Sequence, residues 1–185
     1  MLYLVKHLMI EIVSMARNLT ANTNYTCCSF HMKIYGLSIV IRVVLLSLGC
    51  YIDTLQEPVK YTDIDYTVYT QAGIHLLHGK SPYEQETYRY SPILAIFMMP
   101  NSTIIWFGKL LFCIADVHVV QIFDELLQNV ADGVLAKERS RAHKFRGYIC
   151  FLWSVNPFSS NIASRGSSDS ISNILLLWMI KMVCT

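Results

Sequence analysis

Of 185 residues, 54% are apolar and only 15% are charged, with a net charge of +2. An ordinary soluble domain carries about 25% charged residues. Ionised groups are costly in hydrocarbon, so this composition argues against a soluble domain and for lipid-facing surface. The small net charge excludes nucleic-acid binding as a driving role.

In chain order, Leu2–Ala16 is apolar but interrupted by Lys6 and Glu11, and it lacks a small-residue cleavage site. It reads as a non-cleaved leader, followed by a polar loop over Asn18–Ser29, so residues 1–33 form a cytosolic N-terminal leader. Ile34–Ile52 is the clearest membrane span, with Arg42 as its one charge; about twenty apolar residues cross a bilayer. Arg42 either snorkels to the interface or faces inward with a function.

A long polar loop follows over 53–103, and its Asp53–Arg89 portion carries six acidic and three basic residues. Within it, Tyr66–Leu77 predicts a short interfacial helix with Val68, Ala72 and Leu76 on one face. Gly79 stops that helix and Ser81-Pro82 marks a turn. Ile93–Met99, bracketed by Pro92 and Pro100, is too short to span and predicts a re-entrant or interfacial helix.

Ile104–Leu127 is a second span, polar enough through Lys109, Asp116, His118, Gln121 and Asp124 to face other helices rather than lipid. Ala131–Gly147 is a loop with five basic and two acidic residues. Tyr148–Ala163 predicts a third span, broken near Asn156-Pro157. The loop Ser164–Ser170 follows, then a fourth apolar segment over 171–185.

Short loops rich in Lys and Arg stay cytosolic, which places Ala131–Gly147 in the cytosol. Counting spans outward puts the Asp53–Arg89 and Ser164–Ser170 loops together on the luminal face and returns the N-terminus to the cytosol. The sequons at Asn18 and Asn24 are then cytosolic, and the one at Asn101 lies luminal but against the membrane, so all three are expected to stay unmodified. Of the six cysteines, Cys50, Cys113, Cys150 and Cys184 fall in or beside apolar stretches, while Cys27 and Cys28 are adjacent and share no spacing with the others; all read as free thiols. His75 and His78, at i and i+3, read as a polar helix edge rather than a zinc site.

The local chemistry concentrates in Tyr61-Thr62-Asp63-Ile64-Asp65-Tyr66. By spacing alone, two carboxylates one residue apart read as a solvated acidic loop. The flanking tyrosines, the position at the membrane face and a second charged cluster on the same side make them a candidate site. That second cluster is Ser164-Arg165-Gly166-Ser167-Ser168-Asp169-Ser170, where a cation, a glycine and several hydroxyls suit a phosphate or equally a hydrophilic hairpin. A third group runs through Ser81-Pro82-Tyr83 and Thr87-Tyr88-Arg89-Tyr90-Ser91-Pro92. Its aromatics suit an interfacial belt, and Arg89 suits a lipid phosphate.

The ordered series Y-T-D-I-D-Y, G-K-S-P-Y, T-Y-R-Y-S-P, F-G-K-L-L-F and N-P-F with A-S-R-G-S-S-D-S resembles the GPI mannosyltransferase 1 family, the α-1,4-mannosyltransferase catalytic subunits of glycosylphosphatidylinositol (GPI) synthesis. The resemblance runs from about Tyr35 to the end. The family is longer, so the chain reads as its N-terminal part, stopping inside a helix. The resemblance implies an all-α polytopic membrane protein with the GT-C glycosyltransferase fold, residues 34–185 being the N-terminal part of its transmembrane domain. It implies an endoplasmic-reticulum membrane setting, dolichyl-phosphate-mannose as donor and glucosaminyl-(acyl)phosphatidylinositol as acceptor. A small membrane-anchored regulatory subunit is the implied partner.

The donor's β-linked mannose and the α product imply inversion, which needs one general base and no covalent glycosyl-enzyme carboxylate pair. By the resemblance, Asp63 is the base, and Asp65 orients the acceptor or holds a divalent cation. Arg89 and Arg165, with Tyr88 and Asp169, form the donor-phosphate or substrate contacts. No other cofactor is implied. The competing readings are another dolichyl-phosphate-sugar transferase, an inactive truncated product, and a small transporter subunit whose path Arg42, Asp116 and Asp124 would line.

Overall fold

The computed structural model describes residues 27–55, 60–133 and 136–184, and among these the regular structure is entirely helical. The helices are α1 (Cys27–Thr54), α2 (Ile64–Leu77), α3 (Pro92–Met98), α4 (Phe107–Asp132), α5 (Ala136–Ser154), α6 (Pro157–Arg165) and α7 (Asp169–Cys184), with 3-10 turns at Pro82–Glu84 and Met99–Ser102. Most of the leader over 1–33 lies outside the described residues. Its last part does not: α1 already runs from Cys27, so the loop expected over Asn18–Ser29 gives way to helix at its end.

Helix ends sit where the local chemistry dictates. Asp63 caps α2 from an extended conformation, its side chain accepting the Asp65 amide at 3.3 Å. The chain turns away beyond Leu77 through Gly79, whose φ of 71° favours glycine. Ser91 caps α3, with Pro92 in its first turn. Asn156 caps α6 by accepting the Phe158 amide at 3.0 Å, with Pro157 next. Proline has no N–H to continue α5, and so the expected third span over Tyr148–Ala163 divides at that point into two helices. The basic stretch Ala131–Gly147 is the larger correction. Its described part from Ala136 onward is not a loop but the first half of α5, because Ala, Lys, Glu and Arg are strong helix formers whatever their charge.

Three tiers of polar contact align α1 with α4, and two of them take in α5. At one end Asp124 of α4 takes the Tyr35 hydroxyl of α1 at 2.8 Å and the Arg146 guanidinium of α5 at 2.5 and 2.8 Å. In the middle, Arg42 of α1 donates through Nε and Nη2 to Asp116 of α4 at 2.9 and 2.5 Å, and through Nη1 to the Ser154 carbonyl at 3.3 Å. At the far end Lys109 of α4 meets Asp53 of α1 at 3.0 Å. Residue numbers rise along α1 and α5 and fall along α4 through these tiers, so α4 runs antiparallel to both. Lys181 of α7 reaches Glu125 of α4 at 2.6 Å.

Arg42 and Asp116 are each 1% exposed, so Arg42 faces inward and does not snorkel. The charges of the polar span face other helices, as expected: Lys109, Asp116 and Asp124 are all buried. Removing one partner of such a pair is far more costly than removing both, because it strands a buried charge.

Within α1, Lys33–Thr54 is 22 residues long and apolar enough to cross a membrane, the one such helix among the described residues. Its outer face presents Ile39, Val40, Val43, Val44 and Leu48, and α7 presents Leu175, Leu176, Met179 and Met182. Cys50, Cys113 and Cys150 are free thiols.

The segment between α1 and α4 folds over one end of the helices around Tyr66, Tyr69, Ala72, Tyr88, Leu94, Ala95, Met98 and Phe112. Tyr69 meets Tyr90 edge-on at 4.7 Å and Phe112 at 6.3 Å; each such pair adds ~0.5–1.5 kcal/mol beyond area burial. Gly73 lets α2 touch the chain leaving α3, since a Cβ there would lie 2.8 Å from the Met98 carbonyl carbon.

Candidate functional site

The stretch Tyr61-Thr62-Asp63 leads into α2 and is gripped from two sides. Asp53, at the end of α1, accepts the backbone amides of Tyr61 at 2.8 Å and Thr62 at 3.1 Å, and also the Thr62 hydroxyl. From the other side, the Asp63 amide donates to the Arg165 carbonyl at 3.0 Å, while Arg165 Nε donates to the Tyr61 carbonyl at 3.1 Å. Three consecutive amides are therefore fixed by partners outside their own helix, and the cap residue Asp63 is held at the junction of α1, α2 and α6.

The Tyr61 ring packs on α1, where a Cβ at Gly49 would overlap it. Its hydroxyl meets Asn161 Oδ1 and Ser164 Oγ, both at 2.6 Å. Burial pushes this phenol above its ordinary value, so it stays a neutral hydrogen-bonding group.

The two acids differ in surroundings. The Asp63 carboxylate is half-buried and accepts its own helix's Asp65 amide; Asp65 is exposed and accepts the Tyr90 hydroxyl at 2.6 Å. That bond pushes the Tyr90 phenol up and keeps it a donor. One oxygen of each carboxylate, Asp63 Oδ2 and Asp65 Oδ1, makes no hydrogen bond among the described residues. Among the described residues no group of three metal-ligating side chains occurs.

The second expected cluster lies against the first. Arg165 closes α6, and Gly166 reverses the chain at a φ of 97°. A Cβ on Gly166 would overlap the Tyr66 ring. Ser168 meets the Tyr69 hydroxyl at 3.2 Å. The loops Asp53–Arg89 and Ser164–Ser170 therefore share one side of the helices.

Tyr66 has little freedom to yield to Gly166. Its hydroxyl donates to the Ile105 carbonyl at 2.6 Å and accepts from Asn101 Nδ2 at 2.9 Å and the Lys109 amide at 3.3 Å.

The other expected residues are placed differently. Arg89 is exposed, donates to the Glu86 and Tyr88 carbonyls at 2.9 and 3.2 Å, and neighbours the Tyr90 that holds Asp65. Tyr88 is fully buried, its hydroxyl committed to the Ser91 carbonyl at 2.5 Å, and burial pushes its phenol to about 12. As placed, it anchors the Arg89–Ser91 loop from inside the core and offers no surface to a substrate. Asp169 is exposed in the first turn of α7, with no side-chain partner among the described residues. Sequence reasoning missed Asp53, Lys109 and Asn161 as site residues, and named Tyr61 only as a flank of the acids. The available signal was the opposite charges of Asp53 and Lys109 at the ends of two apolar stretches, because a lysine inside an apolar helix needs a partner.

Comparison with known proteins agrees with the ordered motifs. The chain is 38% identical over 159 residues to GPI mannosyltransferase 1 of Aspergillus fumigatus, covering 80% of this chain and 35% of that protein. It is 38% identical over 147 residues to GPI mannosyltransferase 1 of Dictyostelium discoideum, covering 78% and 31%. Against the GPI alpha-1,4-mannosyltransferase I catalytic subunit of Danio rerio it is 34% identical over 145 residues, covering 78% and 34%. The chain thus has homologues among GPI mannosyltransferases and spans about a third of the length of the curated relatives it matches. No protein-family model matches it, and no solved structure matches it.

Proposed function

We propose that this chain carries the acid-bearing part of a mannosyltransferase that adds the first α-1,4-mannose of the GPI anchor, from dolichyl-phosphate-mannose to glucosaminyl-(acyl)phosphatidylinositol. The reading rests on homologues that bear the name of that enzyme. The single observation that carries it is the joining of the Asp63 segment to the Arg165 turn through two backbone-directed hydrogen bonds. The segments that carry a carboxylate and a guanidinium, each at a helix end, are thereby joined on one side of the helices.

In this reading the protein is a GT-C-type, multi-span enzyme of the endoplasmic-reticulum membrane, and the Asp63 side faces the lumen. Asp63 takes the proton of the acceptor hydroxyl as that oxygen attacks the anomeric carbon, with inversion. Asp65, steadied by Tyr90, orients the acceptor. The leaving group is a lipid phosphate, which departs as a stable anion and needs no general acid. Arg165 and Arg89 offset its developing charge, and Asp169 is a further donor or substrate contact. A small membrane-anchored subunit is the expected partner. A divalent cation, where one is bound, would be held by Asp63 and Asp65; no step is routed through it.

The test is direct. Microsomes from cells that lack the first GPI mannosyltransferase, and that express the complete protein containing these residues, are given radiolabelled dolichyl-phosphate-mannose. Labelled mannosyl-glucosaminyl-phosphatidylinositol is expected. Accumulation of the unmannosylated glucosaminyl lipid, at confirmed expression, would contradict the assignment.

A further inference from the structure

One buried charge beside the site belongs to a residue with no role in the reaction as described. Lys109, on α4, is 4% exposed. Its Nζ lies 3.0 Å from Asp53 Oδ2, 2.5 Å from the Thr62 hydroxyl oxygen and 5.7 Å from the centre of the Tyr66 ring. The Thr62 hydroxyl in turn donates to Asp53. One hydroxyl therefore bridges an ion pair whose partners come from two different long helices, and it belongs to the residue directly before Asp63.

Close approach is built in: a Cβ on Gly108 would lie 2.6 Å from Met98 Sδ and 2.9 Å from Tyr66 Cε2, so glycine lets α4 bring Lys109 to this point. The ammonium is buried among committed partners, so it is placed to hold the chain and not to touch a substrate.

We infer that Lys109, acting with Asp53 through Thr62, is the positioning device that sets the Asp63 carboxylate at the end of α2. This inference rests on the mannosyltransferase reading of the site. Its physical basis is the sensitivity of proton transfer to geometry: a misplacement of about 1 Å far from the chemistry can cost roughly a hundredfold in rate. The Thr62 hydroxyl is the one side-chain link from the Lys109–Asp53 pair to the segment that leads into α2, whereas Asp53 also holds two backbone amides.

The experiment measures kcat per mole of folded protein and KM for the glucosaminyl lipid, in microsomes expressing the complete protein. Thr62→Val keeps shape and leaves the ion pair intact; it is expected to lower kcat by roughly tenfold to a hundredfold with KM nearly unchanged. Thr62→Ser restores the hydroxyl and should restore kcat. Lys109→Met strands Asp53 and is expected to reduce abundance. The neutral pair Lys109→Gln with Asp53→Asn should recover abundance without recovering kcat. Parental kcat in Thr62→Val, or full recovery of kcat in the neutral pair, would show a merely structural contact and overturn the inference. Asp63→Asn in the same series separates the two ideas. If it is inactive while Thr62→Val is normal, only the positioning role fails. If Asp63→Asn itself is fully active, the reading of the site fails with it.

Discussion

A graded set of glycine substitutions tests how the turn at Gly166 builds the site. Gly36 lies on an exposed face of α1, where an added Cβ would meet nothing within 4 Å, and its φ is not positive. Gly36→Ala should stabilise by ~0.5–1 kcal/mol, the cost of glycine in a helix. Gly79 has a φ of 71° and equally open space, so Gly79→Ala carries only the left-handed backbone cost of ~1–2 kcal/mol. Gly166 combines a φ of 97° with a Cβ direction that runs into the Tyr66 ring, 2.8 Å from its Cγ and closer still to Cδ2. That ring is fixed through its hydroxyl to Ile105, Asn101 and Lys109, so it cannot swing aside cheaply. Overpacking adds ~1–3 kcal/mol, for a total of roughly 2–5 kcal/mol in Gly166→Ala.

Thermal unfolding of the purified protein in detergent should order the three variants as Gly36→Ala, Gly79→Ala, Gly166→Ala from most to least stable. Spacing should be about 2–4 °C per kcal/mol for a unit of this size. Because Arg165 precedes the turn and holds both Tyr61 and Asp63, Gly166→Ala should also lose activity beyond its loss of folded protein. Equal stability of Gly166→Ala and Gly79→Ala would refute the argument that Tyr66 and the turn are locked together.

The other expected outcomes concern the helices and their orientation. Arg42→Met leaves the buried Asp116 without its two guanidinium bonds and should destabilise by ~3–5 kcal/mol, whereas Arg42→Met with Asp116→Leu should regain most of that stability in the same melting assay. Asn101 stands in an N-S-T sequon, yet it is 2% exposed, with its amide spent on Tyr66 and Thr70 and its carbonyl on the Gly108 amide at 2.8 Å; glycosidase treatment should leave the mobility of the protein unchanged, and Asn101→Ala should lower its melting temperature. In a background lacking the native cysteines, a cysteine at Ser140 should label with an impermeant thiol reagent in intact microsomes, and one at Ser81 only after permeabilisation.

How much of this is legible in the sequence depends on whether the signal is local. The α5–α6 break is readable because Asn156-Pro157 combines a cap with a missing N–H, a property of two adjacent residues. The stop of α2 before Gly79 is readable for the same kind of reason. The basic stretch over Ala131–Gly147 misleads because positive charge reports on polarity and topology, while helix formation there follows from the propensities of Ala, Lys, Glu and Arg. The pairing of the Asp63 and Arg165 segments is legible only as an expectation that both loops fall on one side of the spans. Their hydrogen bonds link residues about a hundred positions apart, and no spacing encodes them. Asp53 and Lys109 are visible as lone charges at the edges of apolar runs, but their meeting across α1 and α4 depends on the relative register of two helices. The aromatic neighbours of Tyr88 suit an interfacial belt, and the resemblance makes it a substrate contact; its burial follows from packing in one core with Tyr69 and Leu94, which composition does not reveal.

The central claim is that the Asp63 carboxylate is the base of a mannosyl transfer. Asp63→Asn keeps the size of the side chain and its ability to cap α2, but it cannot accept the proton. In cells lacking the endogenous enzyme and expressing the complete protein, surface display of a GPI-anchored reporter should nearly vanish with Asp63→Asn at unchanged protein abundance, a loss of ~10²–10⁴ in rate. Glu84→Gln, on the same loop but away from the acids, should rescue like the parent. Full rescue by Asp63→Asn at matched expression would contradict the account and leave the two acids as a solvated helix end.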